Sequence, residues 1–121
     1  MTKTVLIAED NDLNLKLFND LLQVRGYRTI LVRDGTKVVE TLRESRADLV
    51  LMDIQLPGIS GLDITKLIKA DEHLKNIPII AVTAFAMKGD EQKILDVGCD
   101  AYISKPITVP TFMDVVTKFL G

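Results

Sequence analysis

The sequence predicts an α/β fold, a doubly wound parallel sheet with helices on both faces. Three observations predict it. Short apolar runs alternate with stretches of helical period five times along the chain, and the connections between them are short. Neighbouring parallel strands need crossover connections, and helices of this length supply them with the usual right-handed sense. The first, third and fourth apolar runs are continuous rather than alternating, as strands covered on both faces must be.

Each element can be justified in turn. Thr4–Glu9 (TVLIAE) reads as a strand. Leu13–Arg25 reads as a helix with Leu17, Phe18, Leu21, Leu22 and Val24 along a broad apolar face. Asn11 or Asp12 can cap its start, and Gly26 sits where a left-handed residue closes a helix. Arg28–Arg33 is a second strand, and Thr36–Arg46 a helix turning Val38, Val39 and Leu42 inward. Asp48–Asp53 (DLVLMD) is the third strand, followed by a loop over Ile54–Ser60 built around Pro57-Gly58. Ser60 and Asp63 stand at capping-box spacing before a helix over Leu62–Asp71. Pro78 introduces a fourth strand, Ile79–Thr83; a helix runs from about Met87 to Val97 and stops at Gly98. Asp100–Ser104 is a short fifth strand, and Thr108 opens a last helix carrying Phe112, Val115, Val116, Phe119 and Leu120 on one side.

Strands two and five are polar-flanked or short and suit the sheet edges, which fits the flavodoxin-like order 2-1-3-4-5. The 121 residues have the size of one domain, expected to span 1–121. With 47% apolar and 26% charged residues the chain is an ordinary globular one, not a disordered or fibrous one. Apolar runs such as Val5–Ala8 and Leu49–Met52 are far too short to span a bilayer, so no direct membrane insertion is expected. Nothing at the start has a signal-peptide layout, and the lone Cys99 has no internal disulfide partner; both point to the cytoplasm. A net charge of −2, scattered Lys and Arg, and 5% aromatic residues without tryptophan argue against nucleic-acid binding.

In such a sheet, ligands bind beyond the carboxyl ends of the strands, at the switch point between strands one and three. Strand one ends in Glu9-Asp10, strand three in Asp53, strand four in Thr83-Ala84 and strand five in Ser104-Lys105-Pro106. Three carboxylates, a hydroxyl and an ammonium are thus expected in one crevice. Two unit charges ~4 Å apart repel by ~4 kcal/mol at an effective dielectric near 20. A divalent cation offsets that repulsion, and an oxygen-only set on a partly open rim suits Mg²⁺. Lys105 adds a fixed positive charge, and the set resembles a phosphoryl-transfer site.

The segments IAEDN (Ile7–Asn11), LVLMDIQLPGISG (Leu49–Gly61), IIAVTA (Ile79–Ala84) and YISKP (Tyr102–Pro106) resemble bacterial response-regulator receiver domains, in order and over the whole chain. NDLNLKLFNDLL and TAFAMKGDEQKILDVGCDAYISKPI are similar to the stand-alone cell-division regulators of the DivK type. The resemblance implies that Asp53 accepts a phosphoryl group from the phosphohistidine of a histidine kinase or phosphotransfer protein. It implies that Glu9, Asp10, Asp53 and the main-chain carbonyl of Gln55 hold Mg²⁺, with Mn²⁺ as a substitute. Lys105 would pair with an acyl-phosphate oxygen and the Thr83 hydroxyl with another, while small Ala84 leaves space above. The peptide bond to Pro106 is usually cis in this family, and Tyr102 takes the aromatic position that swings inward as the threonine moves. The resemblance also places Gln55 and Phe85 at the two variable positions that flank such sites, where they would tune phosphate lifetime. The chain would then be no enzyme beyond its own phosphorylation and slow dephosphorylation. It would signal by protein–protein binding through the surface of the fourth helix, fifth strand and fifth helix.

Rival readings are weaker. An aspartyl-nucleophile phosphatase of the haloacid-dehalogenase type needs a second acid two residues after its nucleophile, where this chain has Gln55. A flavodoxin-like electron carrier needs a small polar phosphate loop after strand one, where AEDNDLN would repel a phosphate. The receiver module of a hybrid kinase keeps the chemistry and changes only the context. Phe85 and Met87 suit a partner contact, Cys99 a small buried position, His73 a solvated helix end, and Tyr27 packing at the start of strand two.

Overall fold

The computed structural model describes residues 2–84 and 90–120. Five strands, β1 (Thr4–Ala8), β2 (Arg28–Val32), β3 (Leu49–Asp53), β4 (Ile79–Thr83) and β5 (Ala101–Ser104), form one sheet in the order β2-β1-β3-β4-β5. Every pairing is parallel. Five helices connect and follow them: α1 (Asp12–Val24), α2 (Val38–Ser45), α3 (Gly61–Lys69), α4 (Asp90–Asp96) and α5 (Val109–Leu120). The expected class and strand order are those observed. The expected start of the fourth helix, near Met87, lies outside the described residues.

Alternation along the strands splits the core into two layers. Leu6, Ala8, Val50, Met52, Ile79 and Ala81 face α2, α3 and α4, where Val38, Leu42, Ile64, Ile68 and Ile94 meet them. Val5, Ile7, Leu49, Leu51, Ile80 and Val82 face α1 and α5. There Phe18 of α1 stacks on Phe112 of α5 with ring centroids 5.2 Å apart and planes 9° apart. β3 and β4 are buried along their whole length, which explains their unbroken apolar sequences.

Local signals behave largely as read. Asn11, rather than Asp12, caps α1: its side chain accepts the Asn14 N–H at 3.0 Å. Gly26 has φ +89°, the left-handed conformation that lets the chain turn out of α1 at little cost. The Ser60 hydroxyl accepts the Asp63 N–H at 3.2 Å and starts α3. Two expectations are corrected. The buried stripe of α1 is Leu15, Phe18 and Leu22, spaced i, i+3 and i+7; Leu17 and Val24 lie off that stripe and are exposed. The second helix does not begin at Thr36, because Asp34 caps a separate 3-10 turn over Gly35–Lys37 and the α-helix begins at Val38.

One close approach fixes the end of β3. A Cβ on Gly61 would stand 2.6 Å from the Asp53 carbonyl oxygen and 2.8 Å from Ile54 Cα. The Gly61 N–H also donates to the Ile54 carbonyl at 3.0 Å, so the loop after β3 folds tightly back on that strand's last residue. Gly61→Ala introduces a backbone clash without any φ penalty. It is expected to destabilise the fold by about 1–3 kcal/mol, read as a lower urea midpoint at unchanged slope; a wild-type midpoint would contradict the packing described.

Candidate functional site

The register of the sheet brings the acidic residues together. Ala8 of β1 pairs with Met52 of β3, so the next residues, Glu9 and Asp53, stand side by side where both strands end. Glu9 is held there because its N–H donates to the Val32 carbonyl at 3.0 Å. Its side chain is only 1% exposed and that of Asp53 only 5%, whereas Asp10 is exposed. Glu9, Asp10 and Asp53 each present an oxygen within 4.8 Å of the others.

Lys105 arrives from the other side. Thr83 pairs with Ser104, and the Lys105 N–H donates to the Thr83 carbonyl at 2.7 Å, fixing the chain as it leaves β5. The Lys105–Pro106 peptide bond is cis. From there the Lys105 Nζ donates to Glu9 Oε1 at 3.0 Å and to Asp53 Oδ2 at 3.4 Å. The other Asp53 oxygen, Oδ1, accepts the Gln55 N–H at 2.9 Å. Thr83 is buried at the end of β4. Because Ala81 pairs with Tyr102, Thr83 and Tyr102 are diagonal neighbours on the α4 side of the sheet. Tyr102 is half-buried and packs against that layer of the core, and Glu91 of α4 raises the pKa of its hydroxyl.

The electrostatics follow from this crowding. Burial, reinforced by the hydrogen bond and charge of Asp53, pushes the Glu9 carboxyl up to about 7, against the lowering pull of Lys105. Burial alone would lower the Lys105 ammonium, but its bond to Glu9 and the charge of Asp53 outweigh burial and hold it above the usual lysine range. Among the described residues, Glu9 Oε2 is buried with no hydrogen-bond partner. A buried carboxylate oxygen without a donor is costly, and hard oxygen ligands of this kind are what Mg²⁺ takes. The residues present fit the ion.

A groove of about 370 Å³ opens beside the cluster, lined by Asn14, Leu17, Ala84, Lys105, Pro106 and Ile107. Ala84 and Pro106 thus wall the approach to the ammonium. The structure gathers Glu9, Asp10, Asp53, Lys105 and the backbone of Gln55 into one place, with Thr83 at the end of the adjoining strand. Phe85, expected to flank the site, lies outside the described residues. Asn14 was not singled out from sequence: its side chain holds the Glu9 pKa down, and its place in the first capped turn of α1, five residues after Glu9, was the available signal.

The chain is similar to known proteins over its full length. Residues 5–117 match the family model described as the response regulator receiver domain. The polar-differentiation response regulator DivK of Brucella ovis is 58% identical over 121 residues, covering 100% of this chain and 98% of that protein. The receiver domain of the sensor histidine kinase PA1611 from Pseudomonas aeruginosa PAO1, solved with a magnesium ion coordinated in its active site cleft, is 34% identical. It superposes with a TM-score of 0.91, covering 100% of this chain and 99% of that one. The chemotaxis response regulator CheY4 of Vibrio cholerae, 21% identical, shares the fold with a TM-score of 0.92 over 98% of this chain and 99% of that one.

Asp10 is the exposed member of the acidic set, so replacing it tests ligation with little disturbance of packing. Mg²⁺ at ten times its dissociation constant is expected to stabilise the chelator-treated protein by about 1.4 kcal/mol. Asp10→Asn should remove most of that gain in calorimetry, and an equal gain in the variant would count against ligation by Asp10.

Proposed function

The chain belongs to the response regulator receiver domain family and is the receiver domain of a two-component response regulator; from that premise we propose that Asp53 is its phosphoacceptor. The observation that carries this reading is the convergence of Glu9, Asp10, Asp53 and Lys105 at the carboxyl ends of β1, β3 and β5. The phosphoryl group comes from the phosphohistidine of a histidine kinase or a phosphotransfer protein. The O–P bond to Asp53 forms as the N–P bond of the donor breaks, and the electron pair leaves with the imidazole.

The chain's own residues do most of the work. The Gln55 N–H on Oδ1 fixes the rotation of the Asp53 carboxylate and leaves Oδ2, on the Lys105 side, as the attacking oxygen. The Lys105 ammonium neutralises charge that gathers there. Glu9, Asp10, Asp53 and the Gln55 carbonyl would hold Mg²⁺, or Mn²⁺ in its place, which supplies charge neutralisation to the transferring oxygens. The product acyl phosphate adds up to roughly two negative charges. The Thr83 hydroxyl turns toward a phosphoryl oxygen, and Tyr102, its diagonal neighbour, fills the space vacated. Ala84 leaves room above the group, and Gln55 with Phe85 sets how readily water removes it.

The readout is a change in the surface formed by α4, β5 and α5, recognised by a downstream protein. The 58% identity to the DivK of Brucella ovis supports a role in cell division and cell-cycle control. Among the described residues no helix is long and apolar enough to cross a membrane, and the protein is taken to meet its kinases from the cytoplasm. The chain is a switch rather than an enzyme with turnover on a separate substrate.

Asp53→Asn is expected to abolish labelling by radioactive acetyl phosphate or by a phosphorylated kinase while the circular dichroism spectrum is unchanged. Stoichiometric labelling of the variant would overturn the assignment. Thr83→Ala should still be labelled but should no longer move Tyr102, followed by fluorotyrosine resonances with and without beryllofluoride; a wild-type shift would refute the coupling.

A further inference from the structure

We propose that Lys69, the last residue of α3 and at the opposite end of the sheet from the acids, is a positioning residue for the site: it fixes where β5 begins, and through β5 it sets the places of Tyr102 and Lys105. The inference rests on the reading of Asp53 as phosphoacceptor and adds to it a residue remote from the reacting groups. An ammonium has three protons to donate, and all three find acceptors here. Lys69 Nζ donates to the Lys75 carbonyl at 3.2 Å, the Ile77 carbonyl at 3.1 Å and Asp100 Oδ2 at 3.1 Å. The side chain is 21% exposed. Its stem lies against the turn before β5, where a Cβ on Gly98 would stand 2.8 Å from Lys69 Cγ. An exposed ion pair alone would count for little; one ammonium shared among three acceptors on two separate segments is a built joint.

The joint continues into the sheet. The Asp100 oxygen that Lys69 holds also accepts the Ile79 N–H at 2.8 Å, and the Asp100 N–H donates to the Ile79 carbonyl at 2.8 Å. Asp100 is thus bonded to the first residue of β4 through both its side chain and its main chain. At the other end of β5, the Lys105 N–H closes on the Thr83 carbonyl at 2.7 Å. These bonds bracket the four residues of an edge strand whose one neighbour is β4. A short edge strand opens more readily than the core, so its anchors decide how well it is placed. Without Lys69, Asp100 loses its cation and the carbonyls of Lys75 and Ile77 lose a donor. β5 is then held firmly at its Thr83 end alone, and Tyr102 and Lys105 lose definition. A group misplaced by ~1 Å can cost as much as ~100-fold in rate.

The test compares the full-length wild type with Lys69→Met, which keeps the stem and removes the charge, and with Lys69→Arg, which keeps the charge and the donors. Amide hydrogen exchange is followed by NMR, and labelling of Asp53 by radioactive acetyl phosphate is followed in Mg²⁺. In Lys69→Met the β5 amides should exchange about tenfold faster or more while those of β1 and β3 stay within about twofold of the wild type. Labelling should slow by about threefold or more, and Lys69→Arg should restore both readouts to within about twofold. Asp100→Asn, which weakens the same joint from its other side, should reproduce the pattern and serves where Lys69→Met fails to fold. Unchanged exchange in β5 overturns the proposal. An equal rise in every strand also overturns it, because that is a loss of overall stability. Loosened β5 with wild-type labelling shows a tether without a positioning role and overturns it as well. Absence of labelling in the wild type strikes the reading of Asp53 itself.

Discussion

The architecture depends on one electrostatic conflict. Placing β1 and β3 side by side in a parallel sheet forces the residues at their carboxyl ends into contact, and both ends carry acids. The cost is visible in Glu9, whose carboxyl is pushed up to about 7 by burial and by Asp53. A sheet that merely needed to fold would end these strands in neutral residues. The conflict is tolerated because a cation can enter, and Lys105 already supplies one from β5. The phosphoryl transfer proposed for Asp53 would need such a place, preformed and oxygen-rich, with room for further positive charge.

The rest of the fold makes that conflict rigid. β3 and β4 are buried throughout, and both faces of the sheet are covered by interlocking apolar side chains. Gly61 lets the returning loop sit directly against the Asp53 carbonyl, and the Gln55 N–H sets the carboxylate's rotation. The acids cannot easily move apart to relieve their repulsion, because doing so would open the buried apolar layers on both faces of the sheet. The energy of apolar burial is thereby converted into a fixed arrangement of charges, which is the form of catalytic power available to a site of this class.

Most of this was legible in the residues. Strand ends could be read because an acid closing an unbroken apolar run leaves little doubt about which end meets water, as at Asp53. Parallel topology followed from the alternation of runs, and the site's position followed from topology. The pairing of Lys105 with Glu9 was not legible: 96 residues separate them, and only side-chain reach decides which acid the ammonium prefers. The inward face of α1 was misjudged because two rows of leucines compete there. The row Leu15, Phe18, Leu22 wins by meeting Phe112 and β1, and this depends on the helix's rotation against the sheet, which periodicity alone leaves open. The start of α2 shifted for a local reason, since the Asp34 side chain stabilises a tighter turn over the first residues.

The same distribution of rigidity tells where a change of charge at Asp53 can be felt. A central strand cannot repack without disturbing both layers, so β3 transmits no displacement of its own. β5 differs: it has four residues, lies at the sheet's edge, and carries the half-buried Tyr102. On the proposed switch the ring would have two places, the observed one and one inward toward Thr83, and moving between them would not require the core to open. On that proposal, charge placed at the rigid centre would bias the edge strand rather than the core. That edge lies next to α4 and α5 in sequence, so a change there would fall on the side proposed for the partner.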